Sequence, residues 1–175
     1  MNKDLHFSSK SENWQTPKYF FDYWHKRYNF VLDAAASKEN HLCPLYFDKN
    51  DNALELSWNI HLDDRTCHVW CNPPYGKQVK DFVHKAYIEA RDNNAFTIML
   101  LPARVDTKWW QEHINLAYLI KGRIAFVDPI ANTNNSAPFP SAVALFHPLT
   151  VPRTQGFQPT LKYLDLKTIK KDNTL

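Results

Sequence analysis

Two hydrophobic periods alternate along this chain. Tyr19, Phe20, Tyr23, Trp24 and Tyr28 recur at helical spacing. Thr16-Pro17 precedes them and reads as a helix start, with Thr16 as N-cap and Pro17 at the first helical position. Phe30 to Leu32 is a short apolar run that closes on Asp33 and three alanines, and Leu42 to Phe47 reads as a second strand. Asp48 to Leu54 is polar and loop-like. His68 to Cys71 forms a further apolar run. Val79, Phe82, Val83, Ala86, Tyr87 and Ala90 then repeat at i, i+3, i+4, i+7, i+8 and i+11, which predicts an amphipathic helix with Lys80, Asp81, Lys85 and Glu89 outside. Phe96 to Leu101 is a buried strand, and Thr107 opens another helix. Tyr118 to Val127 and Ser141 to Phe146 read as a late antiparallel pair at the sheet edge. The intervening Asp128 to Pro140 is rich in proline and asparagine, and a loop of that length is usually functional or mobile.

The strand at His68 to Cys71 stops at Asn72-Pro73-Pro74-Tyr75. Two prolines in succession cannot donate ladder hydrogen bonds, so pairing ends there. Pro73 also biases Asn72 toward an extended backbone. The loop therefore holds one amide, two carbonyls and one aromatic ring in fixed relation, which suits a planar group with an exocyclic amine. The Asn72 amide oxygen and the Pro73 carbonyl can each accept one N–H, with the Tyr75 ring over the face.

Asn72-Pro73-Pro74-Tyr75 resembles the catalytic motif of S-adenosylmethionine-dependent amino-methyltransferases. Around it stand Trp14-Gln15-Thr16-Pro17, Leu32-Asp33-Ala34-Ala35-Ala36, Leu100 to Trp110, Gly122-Arg123-Ile124-Ala125-Phe126 and Ala137-Pro138-Phe139. In that order and spacing, from Trp14 to His147, the chain is similar to the phage-type DNA N-6-adenine methyltransferase (Dam-like) family. The resemblance implies an α/β fold of the Rossmann-like class I methyltransferase type. That fold is a mostly parallel, doubly wound sheet with an antiparallel edge pair and no separate target-recognition domain. It implies S-adenosylmethionine as cofactor, double-stranded DNA as partner and methyl transfer to the N6 amine of a flipped-out adenine. Asn72, Pro73, Pro74 and Tyr75 take the catalytic roles, with Tyr75 stacking on the base. Trp14, Thr16 and Pro17 line the methionine end of the cofactor, and Asp33, Ala34 and Ala35 begin its binding loop. That loop lacks the Gly-x-Gly of many relatives, and Asp33 as the N-cap of a following helix fits the residues equally well. Asp51, with Asp48 second, is expected to meet the ribose or adenine of the cofactor; a solvated turn has the same composition.

Arg104 follows the Phe96–Leu101 strand and is available to a DNA phosphate or to Asp106. Trp109 stacks against bases or packs in the core. With Lys108 and Arg123 these complete the candidate DNA contacts. The long loop and the arm around Arg123 are the expected readers of target sequence. Rival readings are cytosine N4 methylation, a protein- or RNA-directed methyltransferase, and a non-catalytic DNA-binding or decoy protein on the same fold.

Composition narrows this only modestly. At 175 residues, 44% hydrophobic and 14% aromatic, the chain suits one domain able to bury a core. A net charge of +3 and a pI near 8.7 permit polyanion binding without marking a strongly basic nucleic-acid domain. No membrane span or signal-peptide core is read, so a soluble cytoplasmic protein is expected, in the host cytoplasm if phage-encoded. Cys43, Cys67 and Cys71 lack zinc-knuckle spacing and read as reduced, partly buried thiols with no metal. The expected organisation is a flexible arm over 1–13, the catalytic domain over 14–148 and a polar basic tail over 149–175. Oligomeric state and target sequence are not legible.

Overall fold

The computed structural model describes residues 14–61, 65–127, 134–151 and 157–172. The proposed arm over 1–13 and much of the long loop, 128–133, lie outside the described residues. In chain order the elements are α1 (Lys18–Tyr28), β1 (Leu32–Asp33), β2 (Leu45–Tyr46), β3 (Cys67–Cys71), α2 (Val79–Asp92) and β4 (Ala95–Pro102). Then come α3 (Lys108–His113), β5 (Leu116–Lys121), β6 (Ala125–Val127), β7 (Asn134–Ser136), β8 (Ser141–Phe146), β9 (Thr160–Asp165) and α4 (Leu166–Asp172).

Seven strands form one sheet in the order β2-β1-β3-β4-β8-β5-β9. Every pairing is parallel except those of β8, which runs antiparallel to both β4 and β5. β6 and β7 make a separate antiparallel pair. All eight residues of β4 are buried, because both sheet faces are covered. On one face Val69, Cys71, Met99 and Leu101 pack with Val79, Val83 and Ala86 of α2 and Trp110 of α3. On the other, Trp70, Ile98 and Leu100 pack with Phe20, Phe21 and Trp24 of α1 and with Leu166 and Ile169 of α4. The aromatic stripe of α1 meets Trp70 edge-on through Phe21. This is the expected mostly parallel, doubly wound α/β fold.

Several local expectations shift. Pro17, not Thr16, occupies the N-cap of α1; its carbonyl accepts from Phe20 N and Phe21 N. The Thr16 hydroxyl does not cap α1 and is buried without a hydrogen-bond partner among the described residues. β1 and β2 are shorter than their apolar runs. Ladder-type bonds nevertheless continue beyond them, from Val31 N to His68 O and from Phe47 N to Asp33 O. The expected arm from Tyr118 to Val127 breaks at Gly122, whose φ of +107° excludes most side chains. The antiparallel partnership of β5 and β8 is present, but β9 lies outside it and forms the edge.

The largest correction concerns the tail. Residues 160–172 continue the sheet as β9 and return as α4, whose Leu166 and Ile169 are buried under α1. Lys162 and Lys170 lie near the Tyr118 and Tyr19 rings, and Arg27 pairs with Asp172. The polar composition reflects an exposed edge strand and one amphipathic turn, not an independent tail. A buried Glu89 further ties the chain together: it accepts from Trp58 N at 2.8 Å and from Asn93 Nδ2 at 3.0 Å, and pairs with Lys85.

Ile169 is fully buried, so Ile169→Ala should lower unfolding stability by about 2–5 kcal/mol in a urea titration. An unchanged midpoint would mean that α4 is not part of the folded core.

Candidate active site

Because β1, β2 and β3 are parallel, their carboxyl ends lie on one sheet edge, where doubly wound sheets bind ligands. The connections leaving them wall a cavity of about 880 Å³, toward the upper end for ligand sites. Asp33 to Ala36 come from the end of β1, Phe47 and Asp48 from β2, and Asn72 to Pro74 from β3. Trp14 to Thr16 close it from the N-terminal side. That segment is held against β6 by a bridge in which Val127 N donates to Gln15 O at 3.1 Å. The Trp14 ring meets Phe126 and Phe139 edge-on.

Asn72 stands just past β3, where the prolines end the ladder. Its Nδ2 donates to the backbone oxygen of Trp14. A carbonyl can only receive a donor, so this bond fixes which end of the amide faces which way. Oδ1 is left shielded from water with no hydrogen-bond partner among the described residues. Such a buried acceptor costs about 1–3 kcal/mol until something donates to it. Trp14 Nε1, Thr16 Oγ1 and Trp70 Nε1, on three other lining residues, share that condition. The cavity wall thus includes four residues whose buried polar atoms have no partner among the described residues.

Asp33 is 4% exposed, and its carboxylate accepts from Leu42 N at 3.1 Å and Ala35 N at 3.4 Å. No helix follows it, so it organises a loop and does not cap a helix. Burial raises its carboxyl to about 6, opposed by those two amides and by His41. The glycine-free loop has a simple explanation. Among the described residues, positive φ occurs at Asn29, Asn52, Asn94 and Gly122, none of them in the turn after Asp33. Ala34 N and Ala36 N instead bond to Trp70 O and Phe47 O, each at 2.9 Å, so this turn runs as an extension of the ladder.

Residues 6–169 match the family model described as DNA N-6-adenine-methyltransferase (Dam). The chain belongs to this family. A DNA N-6-adenine-methyltransferase of Escherichia phage T1 is 38% identical over 100 residues, covering 57% of this chain and 39% of that protein. The putative methyltransferase YfdM of Escherichia coli (strain K12) is 32% identical over 76 residues, covering 42% of this chain and 84% of that protein. The match thus spans well under half the length of the phage T1 relative.

Of the residues that the Dam resemblance singles out, Trp14, Thr16, Asp33, Ala34, Ala35, Asp48, Asn72, Pro73 and Pro74 line the cavity together. Three expectations are corrected or refined. Tyr75 does not cover the cavity: it is 5% exposed, donates from its hydroxyl to Leu100 O at 3.2 Å, and packs against Phe126 and Phe139. Burial pushes its hydroxyl well above the usual phenol range. It anchors the loop to β4, because the chain turns inward after Pro74. Pro17 is buried at the start of α1 and away from the lining. Asp51 is turned back to accept from Asp48 N at 2.8 Å, which leaves Asp48 at the wall.

The candidate DNA contacts divide. Arg104 is exposed and makes no ion pair with Asp106 among the described residues. Lys108 pairs with Glu112 at 3.5 Å, Trp110 is the inward tryptophan, and Trp109 is half-buried. Arg123 is exposed between β5 and β6. Sequence reading missed Trp70, Gln78 and Phe82, which also line the cavity. Their signal was position: each lies within a strand end or helix start flanking Asn72.

Two outcomes follow. Tyr75→Phe should lower stability by about 1 kcal/mol through the lost bond to Leu100, and Tyr75→Ala by about 3–5 kcal/mol, both read by denaturant titration. A Tyr75→Ala protein as stable as wild type would contradict the anchoring role. Asp33 binds its proton more tightly folded than unfolded, so the folded state carries the extra proton between about pH 4 and about pH 6. Its contribution to stability is therefore fullest below about pH 4 and is lost as pH rises through about 6. The thermal midpoint of wild type, measured relative to Asp33→Asn, should fall across that window; a flat difference would show that Asp33 is not buried as described.

Proposed function

We propose that this chain transfers a methyl group from S-adenosylmethionine to the N6 amine of an adenine flipped out of duplex DNA. The observation that carries the reading is the placement of Asn72, Pro73 and Pro74 together in the cavity wall, with the Asn72 amide held by its bond from Nδ2 to the Trp14 carbonyl. Family membership and the printed name of the phage T1 relative support adenine N6 as the acceptor.

The cavity residues fit the cofactor. Asp33 and Asp48 supply carboxylates for hydroxyl or amine groups, and Trp14 and Thr16 line the same cavity. The small Ala34 to Ala36 leave room along the β1 exit. When bound, S-adenosylmethionine supplies a methyl group on an electrophilic sulfonium centre.

The chain's own contribution is to hold the amine. An adenine amine is a weak nucleophile because its lone pair is conjugated with the ring. Asn72 Oδ1 accepts a hydrogen bond from one amine N–H and the Pro73 carbonyl from the other, which favours a localised lone pair as positive charge develops. Pro73 and Pro74 keep those acceptors from relaxing, and the fixed geometry supplies the entropic advantage of positioning. A base inside a duplex cannot reach such a cavity, hence the flipped nucleotide. Arg104, Lys108, Trp109 and Arg123 remain the proposed DNA contacts around it.

Incubation with methyl-labelled cofactor and duplex DNA, followed by nucleoside analysis, should yield N6-methyladenine. N4-methylcytosine, or label in RNA or protein alone, would overturn the assignment. Asn72→Ala should lose activity by about 10²-fold or more while calorimetric affinity for S-adenosylmethionine stays within about threefold. Near wild-type turnover in that variant would remove Asn72 from the mechanism.

A further inference from the structure

Besides the cavity, a second, shallow groove of about 310 Å³ is lined by Gly76, Lys77, Val79, Lys80, Arg104 and Trp109. The two share the start of α2. Pro74 and Gln78 face the cavity, and Gly76, Lys77 and Val79 between and beside them face the groove. The opposite wall is the loop after β4. Its distance from the start of α2 is set by Tyr75, whose hydroxyl is fixed on Leu100 O four residues before Arg104. Groove and cavity are therefore held rigidly to each other.

The groove's charges are uncompensated. Lys77, Lys80 and Arg104 are exposed, and none forms an ion pair among the described residues. Lys18, Arg27, Lys85, Arg91 and Lys108 each face a carboxylate at 3.5 Å or less, while other exposed cations such as Lys38, Lys49 and Arg123 are also without an ion pair among the described residues; the groove differs in gathering three of them around one indole. Three unpaired cations around a half-buried indole form a surface suited to an anionic, partly apolar chain. A deoxyribose-phosphate backbone has that character: the phosphates take the cations and the sugar faces the ring.

We infer that this groove holds the DNA backbone phosphates flanking the extruded adenine, with Lys77, Lys80 and Arg104 as the contacts and Trp109 as the apolar wall. The inference rests on the proposed reaction for which nucleotide is extruded, but its test reads DNA binding independently of methylation. A base lodged in the cavity leaves its own backbone at the mouth. Cations on the other side of the same helical turn are placed to receive it.

The test measures binding of a fluorescent duplex by anisotropy over a range of salt, with calorimetry of S-adenosylmethionine alongside. Each phosphate contact removed should lower the slope of log affinity against log salt by about 0.9 and weaken binding by about tenfold at 0.1 M salt. Lys77→Ala/Lys80→Ala should thus lose close to two units of slope, with cofactor affinity unchanged. The charge-matched Lys162→Ala/Lys167→Ala, on β9 and α4, should bind as wild type does. Equal losses in both double variants would reduce the groove to bulk charge and overturn the inference, as would a wild-type slope in the first. Wild-type protein that binds duplex with the predicted groove dependence but deposits no methyl group would leave the groove standing and remove the reaction. Wild-type protein with no salt-dependent duplex binding would remove the groove.

Discussion

The hydrogen bond from Asn72 Nδ2 to the Trp14 carbonyl orients everything at this site. An asparagine amide has two nearly isosteric ends, and a loop without such a bond would let it turn over. Here the partner is a carbonyl, so only the NH₂ end can face it, and Oδ1 is turned away from Trp14 O. The same bond joins residues far apart in the chain. It closes the N-terminal segment onto the end of β3, and the bridge between Gln15 and Val127 holds that segment from its other side. One polar contact thus sets both the amide's direction and one wall of the cavity.

That contact is useful only on a rigid mount. β3 lies between β1 and β4 in a sheet covered on both faces, and Trp70 and Cys71, the last residues before Asn72, are fully buried. Close packing leaves the strand end little freedom to shift. Tyr75 completes the brace from the far side of the prolines by reaching back to Leu100. The loop is held by a strand before it, two fixed φ angles within it, and a buried phenol after it. This arrangement explains why an acceptor can remain unpaired in an interior wall. The loop cannot move to satisfy Oδ1, so the cost stays local and is available to a donor on a ligand.

Legibility in the sequence followed the physics of each feature. Long periodic segments were clear: α2 and β4 appear where the 3.6-residue stripe and the unbroken apolar run place them. The Asn72 corner was clear because consecutive prolines leave the backbone few choices. The tail was misread because edge strands carry polar residues on their exposed surfaces; β9 is held by ladder bonds to β5, which composition does not encode. Tyr75 was misread for a related reason. An aromatic after a proline pair can turn toward ligand or core, and the deciding partners, Phe126 and Phe139, lie about fifty residues or more away in sequence. Of Asp48 and Asp51 only Asp48 lines the cavity, because a hydrogen bond within one short turn, from Asp48 N to Asp51, turns Asp51 back, and composition does not encode that bond.

The modest net charge of +3 illustrates the difference between a sum and a placement. Read globally, it marks no polyanion-binding face, because most basic side chains near carboxylates cancel locally, as Lys85 does on Glu89 and Arg27 on Asp172. What a phosphate chain meets is the local residue of that cancellation, screened beyond about 10 Å at ordinary salt. The start of α2 is where cations remain uncancelled beside the braced corner, so charge at Lys77 and Lys80 acts within screening range of the corner. The single turn of helix that separates groove from cavity therefore does two things. Its inner side, through Gln78 and Phe82, lines the cavity, and its outer side, through Val79 and Lys80, lines the groove.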